Sequence, residues 1–268
     1  MTLARRDFLK TTLTASAATA FAGSASAVSA AQPASGREYY ELRCYRLAPE
    51  MSASPLHGYL EKALLPALAR RGHANTGVFT EDQPKDGPAV WMLITHPNLE
   101  SAVACSTTLL ADPQLRADGK DYLETPRTAP GFARIDSWLL LAFASMPKME
   151  IPAFSRSRAP DRLFEMRTYE SYSEVKALKK MAMFDDGETE IMRKVKLAPL
   201  FFGQGIAGTN LPHLTYMTCA PDAAAHKAHW DAFRVDPDWV RMRDDPQYAH
   251  TVSKNTPRFL KPTAYSQL

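Results

Sequence analysis

The sequence predicts an α+β fold built from two tandem β-α-β-β-α-β repeats, and three recurrences predict it. Tyr40-Glu41-Leu42-Arg43-Cys44-Tyr45 reads aromatic-Glu-aliphatic-Arg-x-Tyr, and Phe164-Glu165-Met166-Arg167-Thr168-Tyr169 repeats that pattern 124 positions later. Pro97-Asn98 becomes Pro221-Asp222, and Asp112-Pro113 becomes Asp236-Pro237, at the same offset. One spacing shared by three separate matches marks an internal duplication.

Each six-residue match alternates in character, as a strand with two unlike faces does. One face carries Tyr40, Leu42 and Cys44, or Phe164, Met166 and Thr168. The other carries Glu41, Arg43 and Tyr45, or Glu165, Arg167 and Tyr169. After the first strand, residues 38–47, the spacing of Leu60, Ala63, Leu64 and Leu68 predicts a helix over 55–71, stopped by Gly72. Strands follow at 76–80 and 89–95, with a Pro/Gly-rich turn between them. Asn98 opens a second helix, and Asp112-Pro113 restarts it as an N-cap followed by proline at the first helical position. A strand over 133–145 ends the first repeat, which spans 38–150.

Residues 151–162 read as a linker, and the second repeat spans 163–268. Its helical arm, Ser173 to Leu197, is longer and is broken at Asp185-Asp186-Gly187, read as a solvated interruption. Its last strand is expected to be short, Arg258 to Lys261 ahead of Pro262. A lone repeat leaves one sheet face bare, so the two sheets are expected to face each other. In that arrangement the apolar face of each first strand meets the helices. Glu41, Arg43, Tyr45, Glu165, Arg167 and Tyr169 then point between the sheets.

The start of the chain reads as an export signal. Arg5-Arg6-Asp7-Phe8-Leu9-Lys10 is a twin-arginine pattern, a weakly apolar run extends from Thr11 to Gly23, and Ala25-Ser26-Ala27 is a small-x-small cleavage site. Residues 1–27 are therefore expected to be removed after Ala27 by way of the twin-arginine translocase, giving a periplasmic or secreted protein. Residues 28–37 read as a flexible lead-in. Removal takes away Arg5, Arg6, Lys10 and Asp7, so the net charge falls from +3 to +1. A nearly neutral chain has no electrostatic attraction for nucleic acid or anionic membrane. No apolar run reaches the ~20 residues of a membrane span. Cys44, Cys105 and Cys219 are odd in number and lack C-x-x-C spacing, and they read as buried free thiols.

The Glu-Leu-Arg-x-Tyr opening, the Asp236-Pro237-Asp238-Trp239 element, the tandem layout and the closing stretch Phe259 to Leu268 resemble the NIPSNAP family. The resemblance spans residues 38–268. It implies ferredoxin-like repeats forming a pseudo-symmetric dimeric α/β barrel within one chain. It implies no common catalytic residue set. Haem enzymes occur among folds of this kind, so ligation by one of the histidines is an alternative.

Two readings of the doubled Glu-Arg-Tyr face stand open. The pairs could specify sheet packing, since a buried charge needs a partner. They could instead bind a ligand, with Arg43 or Arg167 fixing an anionic or carbonyl group and Tyr45 or Tyr169 donating a hydrogen bond. His226 and His229 have metal-compatible i,i+3 spacing but no third ligand nearby in sequence, and the other histidines look dispersed. The four tryptophans read as core. No G-x-S-x-G or Walker element occurs. The leading functional expectation is a binding protein for a small, partly apolar molecule held between the sheets or at their mouth. The alternatives are a cofactor-independent or haem-using oxygenase or isomerase, and a scaffold that binds other proteins or its own copies as a homo-oligomer.

Overall fold

The computed structural model describes residues 36–84 and 86–268. The expected signal segment, 1–27, and most of the lead-in after it lie outside the described residues. The first repeat contributes β1 (Tyr39–Arg46), β2 (Gly77–Glu81), β3 (Ala89–His96) and β4 (Arg134–Ala142). The second contributes β5 (Leu163–Glu170), β6 (Pro199–Ala207), β7 (His213–Ala220) and β8 (Lys254–Pro262). These eight antiparallel strands close into a barrel in the order β1-β3-β2-β8-β5-β7-β6-β4. The duplicated strands β1 and β5 stand on opposite sides of it.

Four main helices cover the outside: α1 (54–70), α2 (Leu99–Leu110), α3 (174–194) and α4 (Ala223–Val235). The repeat signals are their caps. Asn98 accepts from the Ser101 amide at 2.8 Å, and Asp222 accepts from the Ala225 amide at 2.7 Å. Asp112 and Asp236 cap the short helices Pro113–Asp118 and Pro237–Arg243 in the same way. Each half therefore starts its second helix with a side chain that satisfies amides the helix itself cannot.

Which face of the sheet points inward is the reverse of the sequence expectation. Tyr40, Leu42, Cys44, Phe164 and Met166 belong to one buried cluster with Phe79, Leu140, Phe201, Met217 and Leu260, drawn from both repeats. That cluster is the barrel interior. The Tyr40 and Phe201 rings lie 4.7 Å apart, and Phe79 and Phe164 lie 5.0 Å apart. An interior this tightly filled has no room for unpaired charge. Glu41, Arg43, Tyr45 and their counterparts face the helices instead, where donors are available.

Two local readings also change. β8 is a full strand of nine residues rather than a short one. Pro257 sits in it opposite Arg167 of β5, and β8 pairs with β2 only over Leu260 to Pro262, so the missing Pro257 amide costs no ladder bond. The break in α3 falls as read, with Gly187 at φ 148°. It is not merely solvated, because Glu188 is buried and pairs with buried Lys180 at 2.7 Å. Finally, residues 263–268 fold back under β2. Ser266 Oγ accepts from the Val78 amide, and buried Leu268 joins the interior cluster. All three cysteines are buried free thiols.

Candidate functional site

The two Glu-Arg sets are built alike and lie between sheet and helix. Glu165, 1% exposed, accepts from Arg167 Nε at 2.6 Å, from His226 Nε2 at 2.8 Å and from Trp230 Nε1 at 2.7 Å. The Arg167 guanidinium lies 4.1 Å from the centre of the Trp230 ring, a cation–π contact. Burial alone would raise the Glu165 carboxyl. The hydrogen bond from His226 and the charge of Arg167 outweigh it and hold that pKa below its ordinary value.

Glu41 repeats the scheme with different parts. It accepts from Arg43 Nε at 2.5 Å, and His96 Nε2 lies 3.4 Å from its other oxygen. Burial pushes this carboxyl up, but His96 and Arg43 bring it down to about 2. The histidine comes from the end of β3 in the first repeat and from α4 in the second. The position matching His96 is Ala220, and the one matching His226 is Ala102. Tyr45 packs against Phe132, and the hydroxyls of Tyr169 and Tyr216 meet at 2.9 Å. All six residues tie helices to the barrel wall, so their expected position inside the barrel is corrected.

The histidines also regroup. His226 Nε2 is taken up by Glu165, while His229 faces a separate surface groove beside Phe154 and Lys196. The pair does not converge on one point. His73 and His96, which look dispersed in the sequence, come together with Cys105.

The residues that converge at an accessible place are those one step further along the inward faces of β1 and β5. After Tyr40, Leu42 and Cys44 comes Arg46; after Phe164, Met166 and Thr168 comes Glu170. Both open onto a cavity of about 490 Å³ at the polar end of the barrel. Its apolar wall is the stacked pair Trp91 and Trp138, with ring centres 5.9 Å apart. Its polar wall is Thr168, Thr215, Thr256 and His213, and the Thr168 and Thr215 hydroxyls lie 2.9 Å apart.

Charge in this cavity is balanced. Arg46, Lys254 and Arg258 face Asp86, Asp136 and Glu170 among the lining residues. Arg46 pairs with Asp136, Lys254 lies 3.1 Å from Glu170, and Arg258 reaches Asp86 at 2.5 Å and both Glu81 oxygens at 2.8 and 2.9 Å. His213 is the exception. It is 2% exposed, its Nε2 has no hydrogen-bond partner among the described residues, and burial lowers its pKa so that the neutral imidazole is favoured. Such a group can accept a proton or a hydrogen bond from a bound molecule.

Sequence reasoning assigned the tryptophans to the core and did not single out His213. The available signal was the charged residue ending each apolar strand face, Arg46 and Glu170.

Residues 164–267, nearly all of the second repeat, match the sequence profile of the NIPSNAP family. The chain carries a NIPSNAP domain. In solved structures, the whole two-repeat barrel is similar to a proposed monooxygenase from Lactobacillus acidophilus NCFM. That match has 9% identity and a TM-score of 0.54, and covers 84% of this chain and 94% of the other. A proposed monooxygenase from Fusobacterium nucleatum gives the same identity and TM-score over 85% and 93%. A NIPSNAP-like domain protein from Burkholderia xenovorans aligns at 17% identity over 39% of this chain and 88% of its own, with a TM-score of 0.35. No functionally curated protein matches the sequence. The NIPSNAP domain thus forms one half of a ferredoxin-like dimeric α/β barrel whose other half is the first repeat.

Proposed function

We propose that this protein binds a small, net-neutral, partly apolar molecule at the polar end of its barrel. The observation that carries this reading is the cavity itself. Its volume of about 490 Å³ falls within the range of small-molecule sites. A stacked indole pair offers a flat apolar surface, while threonine hydroxyls and the unpartnered His213 nitrogen supply orientation. The three cations and three anions of its lining neutralise each other, which disfavours a strongly charged guest. The twin-arginine pattern at Arg5-Arg6 makes the site of action periplasmic or extracellular, reached by way of the twin-arginine translocase.

The test is native mass spectrometry and absorbance of the protein recovered from the periplasm. A co-purified organic mass that is lost in Trp138→Ala supports binding at this cavity. Bare protein that also fails to bind any member of a small neutral aromatic library would overturn the reading.

One observation favours an enzyme as the second reading. His213 is a buried imidazole, kept neutral by burial, that lines the cavity and could act as a general base. Turnover of the co-purified molecule that disappears in His213→Ala while binding survives would favour it. A Soret band in the same absorbance scan would point to haem instead.

A further inference from the structure

Behind the barrel wall of the first repeat, on the helix side, His73, His96 and Cys105 bring three ligand atoms within 4.8 Å of one another. They come from three separate elements: the turn after α1, the last residue of β3, and the middle of α2. All three are buried, and His96 is fully so. His73 donates its Nδ1–H to the Thr95 carbonyl at 2.8 Å, which leaves Nε2 as the unprotonated nitrogen. A backbone carbonyl holding the far side of an imidazole is the usual outer support of a metal-bound histidine.

His96 adds a second, independent observation. Its Nδ1 lies 3.4 Å from Ser101 Oγ, while Nε2 is buried with no hydrogen-bond partner among the described residues and sits 3.4 Å from Glu41 Oε2. With the Ser101 hydroxyl donating to Nδ1, the Nε2 proton is turned toward the Glu41 carboxylate, and a metal ion at Nε2 would take that proton's place. The second repeat has no counterpart, because Ala220 stands where His96 would be and His229 where Cys105 would be.

We propose that His73, His96 and Cys105 form a binding site for a borderline-soft divalent metal ion of the zinc class. Two imidazoles and a thiolate are a zinc-type donor set, with the fourth position left to water. Tetrahedral zinc sets its donor atoms about 3.3–3.6 Å apart, so a cluster within 4.8 Å tightens by at most about 1.5 Å on binding. Cys105 binds as thiolate, and the displaced thiol proton leaves to solvent. No electron transfer is involved. The site staples α2 and the turn after α1 to the sheet of one repeat only.

The experiment uses tag-free protein and offers one equivalent of zinc or cobalt(II). Metal is added to the folded chain and, separately, during refolding, so that slow entry into a buried site is not mistaken for no site. The expected result is one bound metal per chain, a raised melting temperature, and a thiolate-to-cobalt charge-transfer band with tetrahedral visible bands. Cys105→Ser should abolish the charge-transfer band, and His73→Ala should weaken zinc by more than the ~10–100-fold that outer-shell partners cost. Circular dichroism of both variants checks that they fold; a variant that does not is replaced by Cys105→Ala or His73→Gln. The proposal is overturned by wild-type protein that takes up no stoichiometric metal by either route, which would leave a proton as the cation between His96 and Glu41. It is equally overturned by metal binding that these substitutions leave unchanged.

Discussion

The indole of Trp230 donates to the Glu165 carboxylate at 2.7 Å, and the same indole lies under the Arg167 guanidinium that grips that carboxylate from the other side. One aromatic ring thus hydrogen-bonds an acid by its edge and stacks on a base by its face. Removing Glu165 should be costly because Arg167 would be left buried without its anion. Glu165→Ala is expected to lose about 3–5 kcal/mol in denaturant unfolding, the range for breaking a buried pair from one side. Trp230→Phe keeps the ring but loses one charge-assisted hydrogen bond, about 1.5–3 kcal/mol.

The same carboxylate gives a pH dependence. The pKa of Glu165 is lower folded than unfolded, so the folded state binds fewer protons there. Its stabilisation is complete above the unfolded value near 4.5 and is lost as pH falls through the depressed folded value. Acid unfolding of wild type should therefore steepen below about pH 4.5, while Glu165→Gln should lose this component. Parallel acid titrations followed by fluorescence would check it, and identical slopes would count against the pairing.

Lys180 and Glu188 form a different kind of pair, with each partner almost wholly buried. Burial raises the Glu188 carboxyl and Lys180 opposes that rise. Lys180→Met alone should destabilise by about 3–5 kcal/mol, and the double variant Lys180→Met, Glu188→Leu should recover most of that loss. A double-mutant cycle measures the difference directly.

Gly205 packs directly against the histidine of the cavity. A Cβ there would fall 2.7 Å from His213 Nε2, so Gly205→Ala must displace the imidazole. We expect ligand affinity to fall at least tenfold with little change in melting temperature. Quenching of Trp91 and Trp138 fluorescence by bound ligand offers the readout.

Architecture was readable because its signals are local. Asn98, Asp112, Asp222 and Asp236 advertise helix starts, and the alternation in β1 and β5 advertises strands. The side of the sheet each face joins was not readable, because a six-residue alternation is symmetric under exchange of inside and outside. That choice is made by distant partners: Phe201 and Phe79 fill the interior, while His226 and Trp230 wait on α4 for Glu165. The candidate cavity stayed hidden for a similar reason. Trp91, Trp138, His213 and Arg258 come from four strands of both repeats, and no spacing in the chain links them. Lys254 to Pro257 was lost to Pro257, which reads as a breaker unless the strand's free edge is known.

Within each repeat, β1 pairs with β3 and β5 with β7 along eight residues, whereas the two halves meet through three pairs between β2 and β8 and four between β4 and β6. The seams are short, yet the interior they enclose takes side chains from both halves and belongs to neither. A separated half would expose its share of that interior to water and keep no core of its own beyond what the helices cover. The halves should therefore melt together in one cooperative transition, and opening at a seam should carry nearly the full cost of unfolding. In this chain, duplication has produced one indivisible folding unit.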